Sequence, residues 1–179
     1  MKYRRLLVGA ITSFVLIALV IACAIGRWAW IEHHSVSHRI AERLAAHDGK
    51  PIVFSEMTPF AWDKVYFFGP YTSRAQIEQA IGFSWPGADD SAIQGSKGSS
   101  LIVFVKDGRV VESFDQSRGL GDFSGIETPN GLTPDQARFI IERRAPDGWE
   151  FMRLANADGS PVTKGEAPAG PPSAPSTSP

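Results

Sequence analysis

The sequence predicts an α+β domain with a small antiparallel sheet, carried behind an N-terminal transmembrane helix. Three observations predict it. Residues 6–26 run for twenty-one positions without a charge. Residues 101–106 and 109–114 are apolar runs joined by Asp107-Gly108, the dipeptide of a two-residue hairpin. Two capping pairs, Ser73 with Gln76 and Thr133 with Gln136, open segments of helical pattern.

The apolar block comes first. At 1.5 Å per residue it spans about 30 Å, the hydrocarbon thickness of a bilayer. Arg27, Trp28 and Trp30 follow it, and indole rings favour the membrane–water interface. Lys2, Arg4 and Arg5 precede it, so the positive-inside bias places the N-terminus in the cytoplasm and the rest outside. The block is longer than the apolar region of a cleaved signal peptide, and Arg-Trp-Ala-Trp follows where a polar cleavage region would be expected. A second mode of attachment stays open. Val20-Ile21-Ala22-Cys23 has the form of a lipoprotein lipobox, which would make Cys23 the lipidated residue and replace the span with acyl chains. Both modes make the lipid bilayer a partner and put the domain outside the cytoplasm. The resulting division is 1–30 anchor, 31–49 juxtamembrane helix, 50–155 domain and 156–179 tail.

The juxtamembrane helix is read from Val36, Ile40, Leu44 and His47, which share one arc of a 3.6-residue wheel. Gly49 and Pro51 stop it. A short strand is expected at 52–55 and a stronger one at 62–68, dense in aromatic and β-branched residues and ended by Gly69-Pro70. Ser73 then caps a short helix that Gly82 closes. The hairpin follows, in a register that sets Val105 against Val110, Phe104 against Val111 and Leu101 against Phe114. Thr133 and Pro134 are expected to open a second helix, with Phe139, Ile140 and Ile141 as its buried side. Residues 149–154 make the last strand. The order β-α-β-β-α-β is compatible with a ferredoxin-like arrangement. Beyond residue 155 the chain turns to Ala, Gly, Ser and six prolines, too little apolar surface to offset ordering entropy, so a disordered tail is expected.

The segment 60–85, with its Trp-Asp-Lys-Val-Tyr and Gly-Pro-Tyr-Thr-Ser runs, resembles small membrane-anchored proteins of the bacterial envelope. The resemblance covers about a quarter of the domain. It implies an envelope location and brings no activity, cofactor or site residues with it.

Composition narrows the function classes. Setting aside Lys2, Arg4 and Arg5 leaves 15 basic residues against 19 acidic ones, a net of −4 without basic clusters. Nucleic-acid binding needs phosphate neutralisation by a basic surface, so no nucleic-acid partner is expected. The single cysteine lies in the apolar block, which leaves the domain no disulfide and no thiol nucleophile. His34 and His38 lie four apart with Glu42 a turn further on, a spacing that can hold a divalent metal. The same spacing also describes a hydrated helix face, and no His or Cys follows His47 to complete a zinc shell.

Residues 94–100 are rich in Gly and Ser around Lys97, but they precede a strand, whereas phosphate loops open helices. Residues 119–125 miss the dinucleotide spacing. Asp89, Asp90, Asp115, Asp122 and Glu127 are loop carboxylates, the residue type of glycosidic chemistry, with nothing to show that two converge. No reaction and no cofactor is identified. The aromatics are the remaining signal. Trp62, Tyr66 and Phe68 alternate along one strand face with Val65 and Phe67 on the other. If only one face is covered, the other is an apolar patch of the kind that marks a partner site. The reading is therefore a non-enzymatic binding module for another envelope protein or a cell-wall component. A small enzyme or metal-binding protein using His34/His38 or the loop carboxylates is the alternative.

Overall fold

A computed structural model describes residues 36–46, 49–143 and 150–163, with Ile17 and Ile21 as isolated helical positions. The rest of the anchor at 1–30 with Cys23, and His34, His47 and the tail from 164, lie outside the described residues. Among the described residues no helix is long and apolar enough to cross a membrane. The protein divides into two units, Met1–Arg39 and Ile40–Pro179, and both sheets belong to the second.

The elements in order are α1 (Val36–Ala46), β1 (Ile52–Val53), α2 (Phe54–Met57), β2 (Lys64–Phe68), α3 (Arg74–Ile81), β3 (Ser99–Lys106), β4 (Arg109–Ser117), β5 (Arg138–Arg143) and β6 (Glu150–Leu154). Short 3₁₀ turns occupy Pro86–Asp90, Ala92–Gln94 and Arg118–Leu120. The fold is α+β, with two three-stranded antiparallel sheets, β1-β5-β6 and β2-β3-β4.

Local chemistry sets α3 and the hairpin as expected. The Ser73 hydroxyl accepts from the Gln76 amide, Gln76 Oε1 accepts from the Ser73 amide at 2.8 Å, and Gly82 ends the helix at φ 85°. Asp107 and Gly108 sit at φ 50° and 68°, the two positive values of a type I′ turn. Val105 pairs with Val110, but a bulge then shifts the ladder by one, so Ile102 faces Phe114 and Phe104 faces Glu112. A slip by one residue exchanges the faces of a strand. Here it carries Phe114 to the Phe104 side, 6.3 Å between ring centres, and leaves Val111 exposed.

The second helix is corrected to a strand. Half of the expected capping box forms, the Thr133 amide donating to Gln136 Oε1 at 3.1 Å, yet only one turn follows before β5 begins. Phe139 lies between Ile52 and Leu154 in the middle strand, and Ile141 pairs with Met152. A helix would satisfy its own amides and leave β1 and β6 without a ladder. Phe-Ile-Ile is also weak in helix propensity, so tertiary pairing prevails. With this strand the single-sheet order of a ferredoxin-like fold is absent. The ordered segment also runs past 155: Ala155 bridges Pro161, the Val162 amide donates to Leu154 O at 2.9 Å, and Val162 is buried.

The layers follow from burial. One face of β2-β3-β4 presents Val65, Phe67, Ile102 and Phe104 to the other sheet. There Phe54 lies 4.9 Å from Phe139, 5.6 Å from Phe67 and 5.7 Å from Phe123, ring centre to ring centre. The opposite face carries Tyr66, Phe68, Leu101, Val103 and Val105, which pack against Ile77 and Ile81 of α3 and against Ala88 and Ile93 of the 3₁₀ turns. Both faces of the middle sheet are thus covered.

Candidate functional site

The end of β2 leads into a turn over residues 69–72. The Thr72 hydroxyl donates to Gly69 O at 2.8 Å, and the Tyr71 amide donates to Ile93 O at 2.7 Å. Pro70 presets the turn, and Tyr71 adopts φ 65° at a position where glycine is usual. For an L-residue this costs about 1–2 kcal/mol. The side group is 64% exposed. A strained backbone thus holds an aromatic ring in solvent, and such outliers cluster at functional positions.

The α3 helix and the 3₁₀ turns that follow it, one of which receives the Tyr71 amide, are fixed by hydrogen bonds. Glu78 Oε1 accepts from the Trp85 amide at 2.7 Å, Arg74 Nε at 2.9 Å and the Ser84 hydroxyl at 3.0 Å. These donors hold its carboxyl below the usual range, the Trp85 amide foremost. Arg74 reaches on to Asp89 at 2.6 Å. The Trp85 indole lies over Gly87, where a β-carbon would stand 2.6 Å from Nε1. Asp115 accepts from the Ser91 hydroxyl at 2.6 Å and the Ala92 amide at 2.8 Å, tying the 3₁₀ turns to β4. Tyr71 therefore projects from a braced support, the arrangement by which rigid scaffolds position binding loops.

A buried polar clasp lies on segment 116–124. Asp122 is 1% exposed. Its Oδ2 accepts from Arg118 Nη2 at 2.7 Å and Nε at 2.9 Å, and its Oδ1 accepts from the Ser124 amide at 2.9 Å. Arg118 also donates to Lys97 O at 2.9 Å. The backbone of Asp122 pairs in parallel beside β6: its amide donates to Glu150 O, and the Met152 amide donates to its carbonyl. One segment therefore leaves β4 of the β2-β3-β4 sheet and extends the β1-β5-β6 sheet. Burial pushes the Asp122 carboxyl up, but the bonds from Arg118 and Ser124 outweigh it, and the net direction is down. Its contribution to stability is therefore complete above the unfolded value of about 4 and disappears as pH falls through the lower folded value. Asp122→Asn is expected to cost about 2 kcal/mol at neutral pH and to flatten the acid limb of a pH–stability curve. Thermal melts from pH 7 downward check this; an unchanged acid limb would remove Asp122 from the account.

The sequence-derived candidates fall as follows. Trp62, Tyr66 and Phe68 are 6%, 7% and 8% exposed, so the covered case is the one found. They do not share a face. Trp62 precedes β2 and packs edge-on to Phe104, 5.2 Å away, whereas Tyr66 and Phe68 lie on the α3 side. The strand alternation begins only at Lys64, which is why Trp62 escapes it. His38 lies on α1, and no group of three or more metal-ligating residues occurs among the described residues. Asp89, Asp115 and Asp122 each have separate partners, described above, while Asp90 and Glu127 are exposed. In the 94–100 loop the Gly98 amide donates to the Ser96 hydroxyl at 3.1 Å, and the carbonyls of Lys97 and Gly98 receive Arg118, so the loop is a brace. Tyr71 is the residue that sequence reasoning misses. Its one signal is the Gly-Pro-Tyr-Thr string itself, with tyrosine where a proline-led turn asks for glycine. No protein-family model matches the sequence, and no curated protein or solved structure matches it.

Proposed function

We propose that the protein is a membrane-anchored, extracytoplasmic binding module of the bacterial envelope, non-enzymatic, whose domain engages another envelope protein or a cell-wall component through the turn carrying Tyr71. The observation that carries the binding half is Tyr71: a solvent-exposed aromatic at φ 65° above a hydrogen-bonded support. Tyrosine offers a large amphipathic contact with only two rotatable angles, which is why it is enriched at interfaces. The anchor half rests on the uncharged block at 6–26 and its flanking charges. Trp62, Tyr66 and Phe68 are buried, so the contact surface is assigned to the turn and not to them.

In the native membrane, a photoreactive phenylalanine analogue at position 71 of the full-length protein is expected to capture a specific partner, while the same probe at exposed Val111 captures none. Tyr71→Gly is expected to abolish specific binding while stability stays level or rises by up to about 1 kcal/mol, because glycine relieves the positive φ. Tyr71→Phe is expected to retain binding. Equal capture at both positions, or none at 71, would overturn the reading. So would loss of binding that merely tracks loss of stability.

A further inference from the structure

The sequence has one Asn-Gly pair, Asn130-Gly131, and four Asp-Gly pairs, at 48–49, 107–108, 147–148 and 158–159. Each pair carries the atoms for succinimide formation: a carboxyl or carboxamide carbon next to an unhindered glycine nitrogen. The electrophile separates them. An ionised carboxylate is a poor acyl donor, whereas a neutral amide has a leaving group. Asp158 is held ionised, its carboxyl lowered by the Ser160 hydroxyl at 2.6 Å and the Ser160 amide at 2.9 Å. Asp107 is locked in the hairpin turn, with its amide donating to Asp63 Oδ2 at 2.8 Å.

Asn130 differs in its electrophile, a neutral carboxamide, although it too sits in a hydrogen-bonded turn. It is exposed at the third position of the turn over 128–131, with Pro129 before it. Gly131 beyond it is buried at φ 64°, and the ring of Tyr66 lies so close that a β-carbon there would stand 2.7 Å from Cζ. The Gly131 amide donates to Thr128 O at 3.0 Å. The next residue, Leu132, exchanges two hydrogen bonds of 2.9 Å with Val65, which join this segment to β2 in both directions.

We infer that Asn130 is a site of spontaneous modification that uncouples the 128–132 segment from β2. The Gly131 nitrogen attacks Asn130 Cγ; the new bond forms as the Cγ–Nδ2 bond breaks, and ammonia leaves with the Gly131 amide proton. Water then opens the ring at either carbonyl, giving aspartate or isoaspartate, with no change of oxidation state. The isoaspartyl product carries an extra methylene in the backbone immediately before the close-packed Gly131. The Leu132–Val65 pair cannot keep its register across that insertion, since ladder partners depend on residue count. The hydrogen bond to Thr128 O gates the reaction, because the nitrogen is free only when the turn opens locally.

The test is ageing of the purified full-length protein in detergent at mildly alkaline pH, with peptide mapping and amide hydrogen exchange. The native protein is expected to accumulate aspartate and isoaspartate at 130, roughly tenfold more slowly than the protein in urea. The Asp-Gly pairs at 107–108 and 158–159 should stay unchanged, as should position 130 in Asn130→Gln. The isoaspartyl fraction should lose exchange protection at Val65 and Leu132. No conversion in the native protein while the urea sample converts would overturn the inference. Conversion as fast as in urea, or conversion with protection at Val65 and Leu132 intact, would overturn it equally.

Discussion

Phe54→Ala is expected to lower stability by about 3–5 kcal/mol. Phe54 is fully buried, and its ring meets Phe67, Phe104, Phe123 and Phe139 at centre distances of 4.9 to 6.0 Å. Those partners come from both sheets, so the void opens at the joint between them. None of the four rings is flexible enough to collapse into the gap, which places the cost toward the upper end of the range. For a domain near 100 residues the shift in Tm is roughly 15 °C or more. Phe54→Leu keeps most of the apolar volume and should cost about half as much. Val111→Ala, on the exposed side of β4, should lie within about 0.5 kcal/mol of the parent. Urea and thermal melts on the three variants check the order, and equal losses for Phe54→Ala and Val111→Ala would contradict the layered core.

Gly121→Ala is expected to cost about 2–5 kcal/mol, from two separable sources. Gly121 sits at φ 108°, where an L-residue is strained by about 1–2 kcal/mol. A β-carbon there would also lie 2.7 Å from Leu44 Cδ1 and 3.5 Å from the Phe123 ring. Leu44 is itself buried, so its methyl has little room to retreat, and overpacking adds about 1–3 kcal/mol. Leu44→Ala removes the second source and leaves the first. In that background Gly121→Ala should cost about 1–3 kcal/mol less than in the parent, a coupling that a double-mutant cycle reads directly. A cycle with no coupling would mean that the contact between α1 and the clasp segment carries no energy.

Gly121 also shows why the candidate site is only partly legible in the sequence. There it belongs to a glycine-rich string that fails as a nucleotide motif, and nothing nearby announces that Leu44 of α1 will settle on it. Asp122 next to it reads as one loop carboxylate among several. Its burial follows from Arg118 four residues earlier and from the backbone pairing with β6 nearly thirty residues later. The aromatic face that one-sided cover would have left open to a partner is filled from within, and periodicity along one strand does not count how many elements will cover it. Tyr71 is hidden for the opposite reason. What sets it apart is a backbone angle, φ 65°, and side-group periodicity does not register angles.

The sequence by itself determined the features whose hydrogen bonds close within a few residues. The capping box of α3, its glycine stop and the Asp107-Gly108 turn form as written, since donor and acceptor are at fixed short separation and no distant group competes. The α+β class follows from the same local signals. Tertiary structure decided the rest. It turned the segment after Thr133 into β5 because Phe139 gains burial between two strands and the ring cluster, more than further helical turns would return. It slipped the hairpin register to bring Phe114 to the face shared by the two sheets. It extended the ordered segment to Val162 by pairing it back on Leu154. In each case the deciding contact lies beyond the reach of one helical turn or one tight turn, and its free energy exists only once the strands have met.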